Sequence, residues 1–82
     1  MFARVKPIVF LDSLTVELSS PQSNGIRAVL KDEKGLVCRS LETNTHYPSL
    51  FWGGLNDLPY GVYTVELHNG TEEMQVRIIK RV

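Results

Sequence analysis

Residues 55–82 read LNDLPYGVYTVELHNGTEEMQVRIIKRV, and this stretch decides the fold class. Leu58-Pro59-Tyr60-Gly61 has the composition of a turn, because proline presets one backbone angle and glycine accepts positive ones. Tyr63, Val65 and Leu67 then fall on one side of the chain, and Val62, Thr64 and Glu66 on the other. A period of two is the signature of a half-buried strand. Asn69-Gly70 predicts a two-residue hairpin turn, since both residue types tolerate positive φ. Met74, Val76 and Ile78 alternate with Gln75, Arg77 and Ile79 as the return strand. The stretch predicts a β-hairpin.

The same reading extends toward the N-terminus. Residues 5–11 form a first strand, and Pro7, which has no N–H to donate, places it at a sheet edge. Residues 14–18 form a second strand, followed by a polar loop over 19–25. A third strand over 26–31 points Ile26, Ala28 and Leu30 inward. Asp32-Glu33-Lys34-Gly35 fits a type I turn with Gly35 in the left-handed position. A fourth strand runs over 36–40, residues 41–48 are irregular, and a fifth strand runs over 49–55. No segment carries a sustained apolar stripe of helical spacing, so no long helix is expected. The expected fold is all-β: a single-domain, immunoglobulin-like antiparallel β-sandwich of about seven strands without a disulfide. A small barrel would present the same alternation. The expected core is Leu14, Val16, Ile26, Ala28, Leu30, Val37, Trp52, Leu58, Tyr63, Val65, Leu67, Val76 and Ile78. Trp52 is its largest anchor, and Trp52→Ala is expected to cost about 3–5 kcal/mol, comparable with the whole stability of so small a domain.

Composition narrows the function classes. Apolar residues at 43% and charged residues at 22% suit a folded chain. Nine basic and nine acidic residues cancel, which leaves no net field to attract nucleic acid or an anionic membrane. Cys38 is the only cysteine, so neither an internal disulfide nor a multi-cysteine zinc site can form. The longest apolar run, at 7–11, falls far short of the roughly 20 residues of a membrane span. Arg4 and Lys6 precede it, yet no small-residue cleavage site follows, so it reads as a strand rather than a signal peptide.

Nothing in the chain has the spacing of a catalytic or cofactor motif, and no enzyme activity or cofactor is expected. His46 lies in a loop and His68 ends a strand, with no arrangement that converges them on a carboxylate. Cys38 sits inside a strand, without a glycine elbow or helix N-terminus to activate it. Asp12, Asp32 and Asp57 belong to three separate turns. Asn69-Gly70-Thr71 matches a glycosylation sequon, but a hairpin turn already accounts for Asn69 and Gly70. Two places suit a protein partner. The stretch YPSLFW at 47–52 is rich in aromatics, and with Trp52 inward Phe51 points outward, beside Tyr47 and Tyr60. The last strand carries Arg77, Lys80 and Arg81, a charge pattern that also protects edge strands from unwanted pairing.

The stretch VLKDEKGLV at 29–37, the segment LNDLPYGVYTV at 55–65 and the ending IIKRV at 78–82 occur in an order that resembles the C-terminal sorting domains of type IX secretion cargo in Bacteroidetes. Of that family's Tyr-Pro-Asn-Pro type of opening, only Pro7 is present. The same signature is similar to that of small stand-alone exported Ig-like proteins of the same phylum, and of accessory modules of secreted hydrolases. The resemblance implies a secreted or cell-surface location and a recognition role rather than catalysis. It implies that an export apparatus reads the folded surface and the last strand, through Ile78, Lys80, Arg81 and Val82. A stand-alone protein would instead bind a protein or glycan through the Tyr47, Phe51 and Tyr60 end.

Overall fold

A computed structural model of the chain describes residues 3–18, 25–43, 49–70 and 72–81. Eight strands are present: β1 (Ala3–Lys6), β2 (Val9–Phe10), β3 (Leu14–Leu18), β4 (Ile26–Lys31), β5 (Val37–Thr43), β6 (Ser49–Trp52), β7 (Gly61–His68) and β8 (Glu73–Lys80). Among the described residues there is no helix. The strands form a three-stranded sheet, β1-β3-β6, and a five-stranded sheet, β2-β8-β7-β4-β5. Both sheets contribute to one hydrophobic core. The architecture is therefore all-β and sandwich-like, as the alternation of residues predicts.

The strand count corrects the expected seven, and the reason is local. The expected first strand breaks at Pro7, whose ring nitrogen cannot join a ladder. Its halves part company: β1 pairs antiparallel with β3, and β2 pairs with β8. That second pairing is parallel, another departure from the all-antiparallel expectation, with the Ile79 N–H donating to the Ile8 carbonyl (2.8 Å) and the Arg81 N–H to the Phe10 carbonyl (2.9 Å). Both halves are edge strands, which is where Pro7 was expected to lie.

The β4–β5 turn forms as predicted. Gly35 has φ +84°, and its N–H donates to the Asp32 carbonyl (3.0 Å). The Asp32 carboxylate also accepts from the Lys34 and Leu36 N–H groups at 2.8 and 3.0 Å. The strand beyond continues through Thr43, into the stretch expected to be irregular. A register shift follows the turn. Leu30 pairs with Arg39 but Lys31 pairs with Val37, so Cys38 is an extra residue and reverses the phase. Val37, expected in the core, consequently stands exposed on the outer face.

The β7–β8 hairpin forms with the predicted faces, but neither its turn nor the register that turn implies is as predicted. A two-residue turn would set Val65 opposite Met74, whereas Val65 stands opposite Val76. His68 pairs with Glu73, and the connection spans residues 69–72. Asn69 is buried and does not adopt positive φ, whereas Gly70 has φ +101°. The Asn69 N–H donates to the Glu72 carbonyl (3.1 Å), and its side-chain oxygen accepts from the Glu72 N–H (2.7 Å). Thr71 of the sequon lies outside the described residues.

Strand β6 stops at Trp52, three residues earlier than expected, because Gly54 (φ +72°) turns the chain away. The crossover to β7 is anchored by buried Leu55 and Leu58 and by the Arg39 guanidinium, which meets both Asp57 carboxylate oxygens at 2.6 Å. Most of the expected core is buried, but Val76 is only half-buried. Ala3, Val5, Phe10, Leu50 and Leu55 join it unpredicted, and Val29 is buried on the opposite, outer face beside Glu66.

Candidate protein-binding surface

The outer face of the five-stranded sheet is built from alternate residues of its strands. On β8 these are Glu73, Gln75, Arg77 and Ile79; on β7 they are Val62, Thr64, Glu66 and His68. At the hairpin end the polar groups satisfy one another. Glu66 accepts from Lys31 Nζ at 2.9 Å and from Gln75 Nε2 at 3.3 Å. His68 Nδ1 lies 3.2 Å from Glu73, and its Nε2 lies 3.9 Å from Glu66. The hydrogen bond from Lys31 holds the Glu66 carboxyl below its ordinary pKa, against a smaller opposing effect of burial.

The other end of this face is apolar. Ile79 pairs with Val9 on one side and Val62 on the other, which makes a row across β2, β8 and β7. Ile8 and Leu11 flank it, each more than half exposed, and Tyr60 is 73% exposed. A groove of about 570 Å³ is lined by Tyr60, Gly61, Val62, Ile79, Lys80 and Arg81. Among the described residues Arg77 and Arg81 enter no ion pair.

Beneath this end lies a buried aromatic pair. Phe10 is fully buried and meets the Tyr63 ring edge-on, with centroids 6.2 Å apart and planes at 70°. The Tyr63 hydroxyl donates to the Pro59 carbonyl at 2.6 Å. That bond ties the turn bearing Tyr60 to the interior. Burial raises the Tyr63 pKa above its ordinary value, with smaller contributions from Cys38 and Asp32 and an opposing one from Arg39.

The structure thus gathers Tyr60, Lys80 and Arg81 into one groove, but their roles there differ. Lys80 is buried, and its ammonium donates to the Arg81 carbonyl (2.6 Å). Ile78 is fully buried on the core side of β8, so its side chain is not part of any outer surface. Phe51 is 73% exposed but stands on the outer face of the three-stranded sheet, beside Thr15 and against Gly53, rather than beside Tyr60. Tyr47 and Val82 lie outside the described residues, as does His46. The hairpin alternation places Val62 and Ile79 on the outward side, as observed, but sequence reasoning missed Ile8, Val9 and Leu11 as surface. The available signal was the consecutive apolar run at 8–11, which cannot bury every side chain from a strand that alternates.

Among the described residues the candidate catalytic groups are not brought together. Cys38 on β5 and His68 on β7 are separated by β4, and the Cys38 thiol contacts the Leu36 carbonyl at 3.7 Å. Among the described residues no cluster of His, Cys, Asp and Glu is arranged to hold a metal ion. No helix among them is long and apolar enough to cross a membrane. No family model matches the chain, and neither does any curated protein.

Proposed function

We propose that this chain is a non-catalytic immunoglobulin-like recognition module, of the secretion-associated kind that its signature resembles, and that it works by presenting a surface to a protein partner. Support for the fold reading comes from three features. A first strand shared between both sheets leaves β1-β3-β6 facing β2-β8-β7-β4-β5. The Tyr63 hydroxyl closes onto a backbone carbonyl four residues upstream, the corner that characterises such domains at the start of the same strand. Val16 and Val65, both fully buried, occupy the middle of β3 and β7, the pair that carries the inter-sheet disulfide in antibody domains.

The observation that carries the functional reading is the exposed apolar end of the five-stranded sheet, where Ile79, Val9, Val62 and Tyr60 adjoin Arg81, which enters no ion pair among the described residues. Contiguous exposed apolar residues mark interaction sites on small domains. An export apparatus is the proposed partner, and the location is secreted or cell-surface. Residues 1–82 fused to a reporter should be exported from a host with a type IX apparatus. Retention inside the cell counts against this function. The test variant is Ile79→Ser rather than a truncation, because removing Ile78 with the tail would take out core. A second reading, a stand-alone exported protein binding a protein or glycan, is favoured by the exposed Phe51 ring on the opposite sheet. Loss of ligand capture in Phe51→Ser, with export intact, would select it.

A further inference from the structure

We infer that the groove at the apolar end of the five-stranded sheet receives an extended segment of a partner protein in which an apolar side chain is flanked, two residues to either side, by carboxylates. The inference rests on the recognition reading above and specifies its partner.

The argument is geometric. Arg77, Ile79 and Arg81 occupy alternate positions at the end of β8, so all three project to the same face. At about 3.3 Å per residue the two arginines stand about 13 Å apart along the strand, with Ile79 midway. Val9 and Val62 widen this midpoint into an apolar floor, and Tyr60 walls it. An extended peptide laid along β8 has the same repeat. Its residue i+2 would reach the groove while residues i and i+4 reach the guanidinium groups. Arginine suits this role, since its planar fork pairs with carboxylates.

Charge decides which partner fits. Arg81 and Arg77 form no ion pair among the described residues, whereas Lys6, Lys31 and Arg39 are each paired with a carboxylate. Arg77 also lines a depression with Asp32 and Glu33, which lowers the local positive potential there, so Arg81 is the stronger contact. A second copy of this chain is a poor occupant. No two of its nine acidic residues are four positions apart, so no extended stretch of its own sequence supplies both carboxylates.

The test uses the whole chain and a fluorescent peptide with glutamates at its second and sixth positions, valine at the fourth and threonine elsewhere. Anisotropy should show saturable binding, with amide shifts concentrated at Tyr60, Val62 and Ile79. Arg81→Glu should weaken binding about tenfold, the scale of one hydrogen bond to a charged group. Arg77→Glu should weaken it less, and a peptide with lysines for glutamates should not bind. Arg81 is exposed, so a thermal melt of the variant should match the parent. Equal binding of the glutamate and lysine peptides, or shifts centred on Phe51, would overturn the inference. So would self-association of the chain through Ile79 and Val9. If the peptide fails to bind while the reporter is exported, the groove assignment falls and the secretion reading stands. If the peptide binds while the reporter is retained, the reverse holds.

Discussion

The two ends of the five-stranded sheet's outer face solve opposite problems. At the hairpin end Lys31, Glu66, Gln75, His68 and Glu73 form a closed network, and each charge finds a partner within the chain. At the other end Val9, Val62, Ile79 and Tyr60 stay in contact with water, and Arg81 enters no ion pair among the described residues. The first arrangement serves the fold. The second adds nothing to the fold that a polar surface would not, which is why we propose it as the recognition surface. The contrast is sharper because the apolar end rests on a buried aromatic pair, Phe10 and Tyr63.

The largest effect should come from that foundation. Phe10→Ala removes a fully buried aromatic and its edge contact with Tyr63. Urea denaturation should show a loss of about 3–5 kcal/mol or no cooperative transition at all. A near-parental midpoint would mean that β2 is not part of the folded core. Next comes Tyr63→Phe, which strands the Pro59 carbonyl and should cost about 1–3 kcal/mol by the same measurement. Its pH behaviour offers a separate check. Burial holds the folded Tyr63 pKa above the unfolded value, so this contribution is present below about pH 10 and fades as pH rises through the folded pKa. The parent should lose stability in alkali by a margin that Tyr63→Phe lacks.

Smaller effects belong to the charged end. Lys31→Ala breaks a partly exposed pair and should cost about 1 kcal/mol or less. The Glu66 pKa is depressed in the folded state, so its stabilisation is present above the unfolded carboxylate pKa and is lost as pH falls through the folded one. Glu66→Gln should therefore flatten part of the acid limb of a stability–pH curve. An unchanged limb would show that the network does not couple to folding. Smallest of all, Ile79→Ser on the apolar surface should shift stability by about 0.5 kcal/mol or less. A loss comparable to Phe10→Ala would place Ile79 in the core and dissolve the distinction between the two ends.

Local patterns were legible in the sequence where they depend only on neighbours along the chain. Tyr63, Val65 and Leu67 alternate into the core as read, and Asp32-Glu33-Lys34-Gly35 makes the turn its composition demands. Features set by pairing across strands were not legible. The reversal of Val37 depends on Cys38 being skipped by its neighbour strand, and nothing in the one-dimensional pattern marks that. The burial of Phe10 depends on β2 leaving one sheet for the other. Asn69-Gly70 suits a tight turn, yet the longer loop allows the Asn69 side chain to take up a backbone N–H that would otherwise be lost. Of the surface, the basic end of β8 and Tyr60 could be anticipated. Their meeting with Val9 could not, since it requires a parallel neighbour contributed from far along the chain.

That parallel neighbour has a mechanical consequence. Tension applied between Ala3 and Arg81 would slide β2 and β8 past each other, loading the Ile79–Ile8 and Arg81–Phe10 backbone bonds together in shear instead of one after another. A domain clamped this way should resist stretching until a single abrupt rupture, and a force–extension trace showing gradual peeling would contradict it.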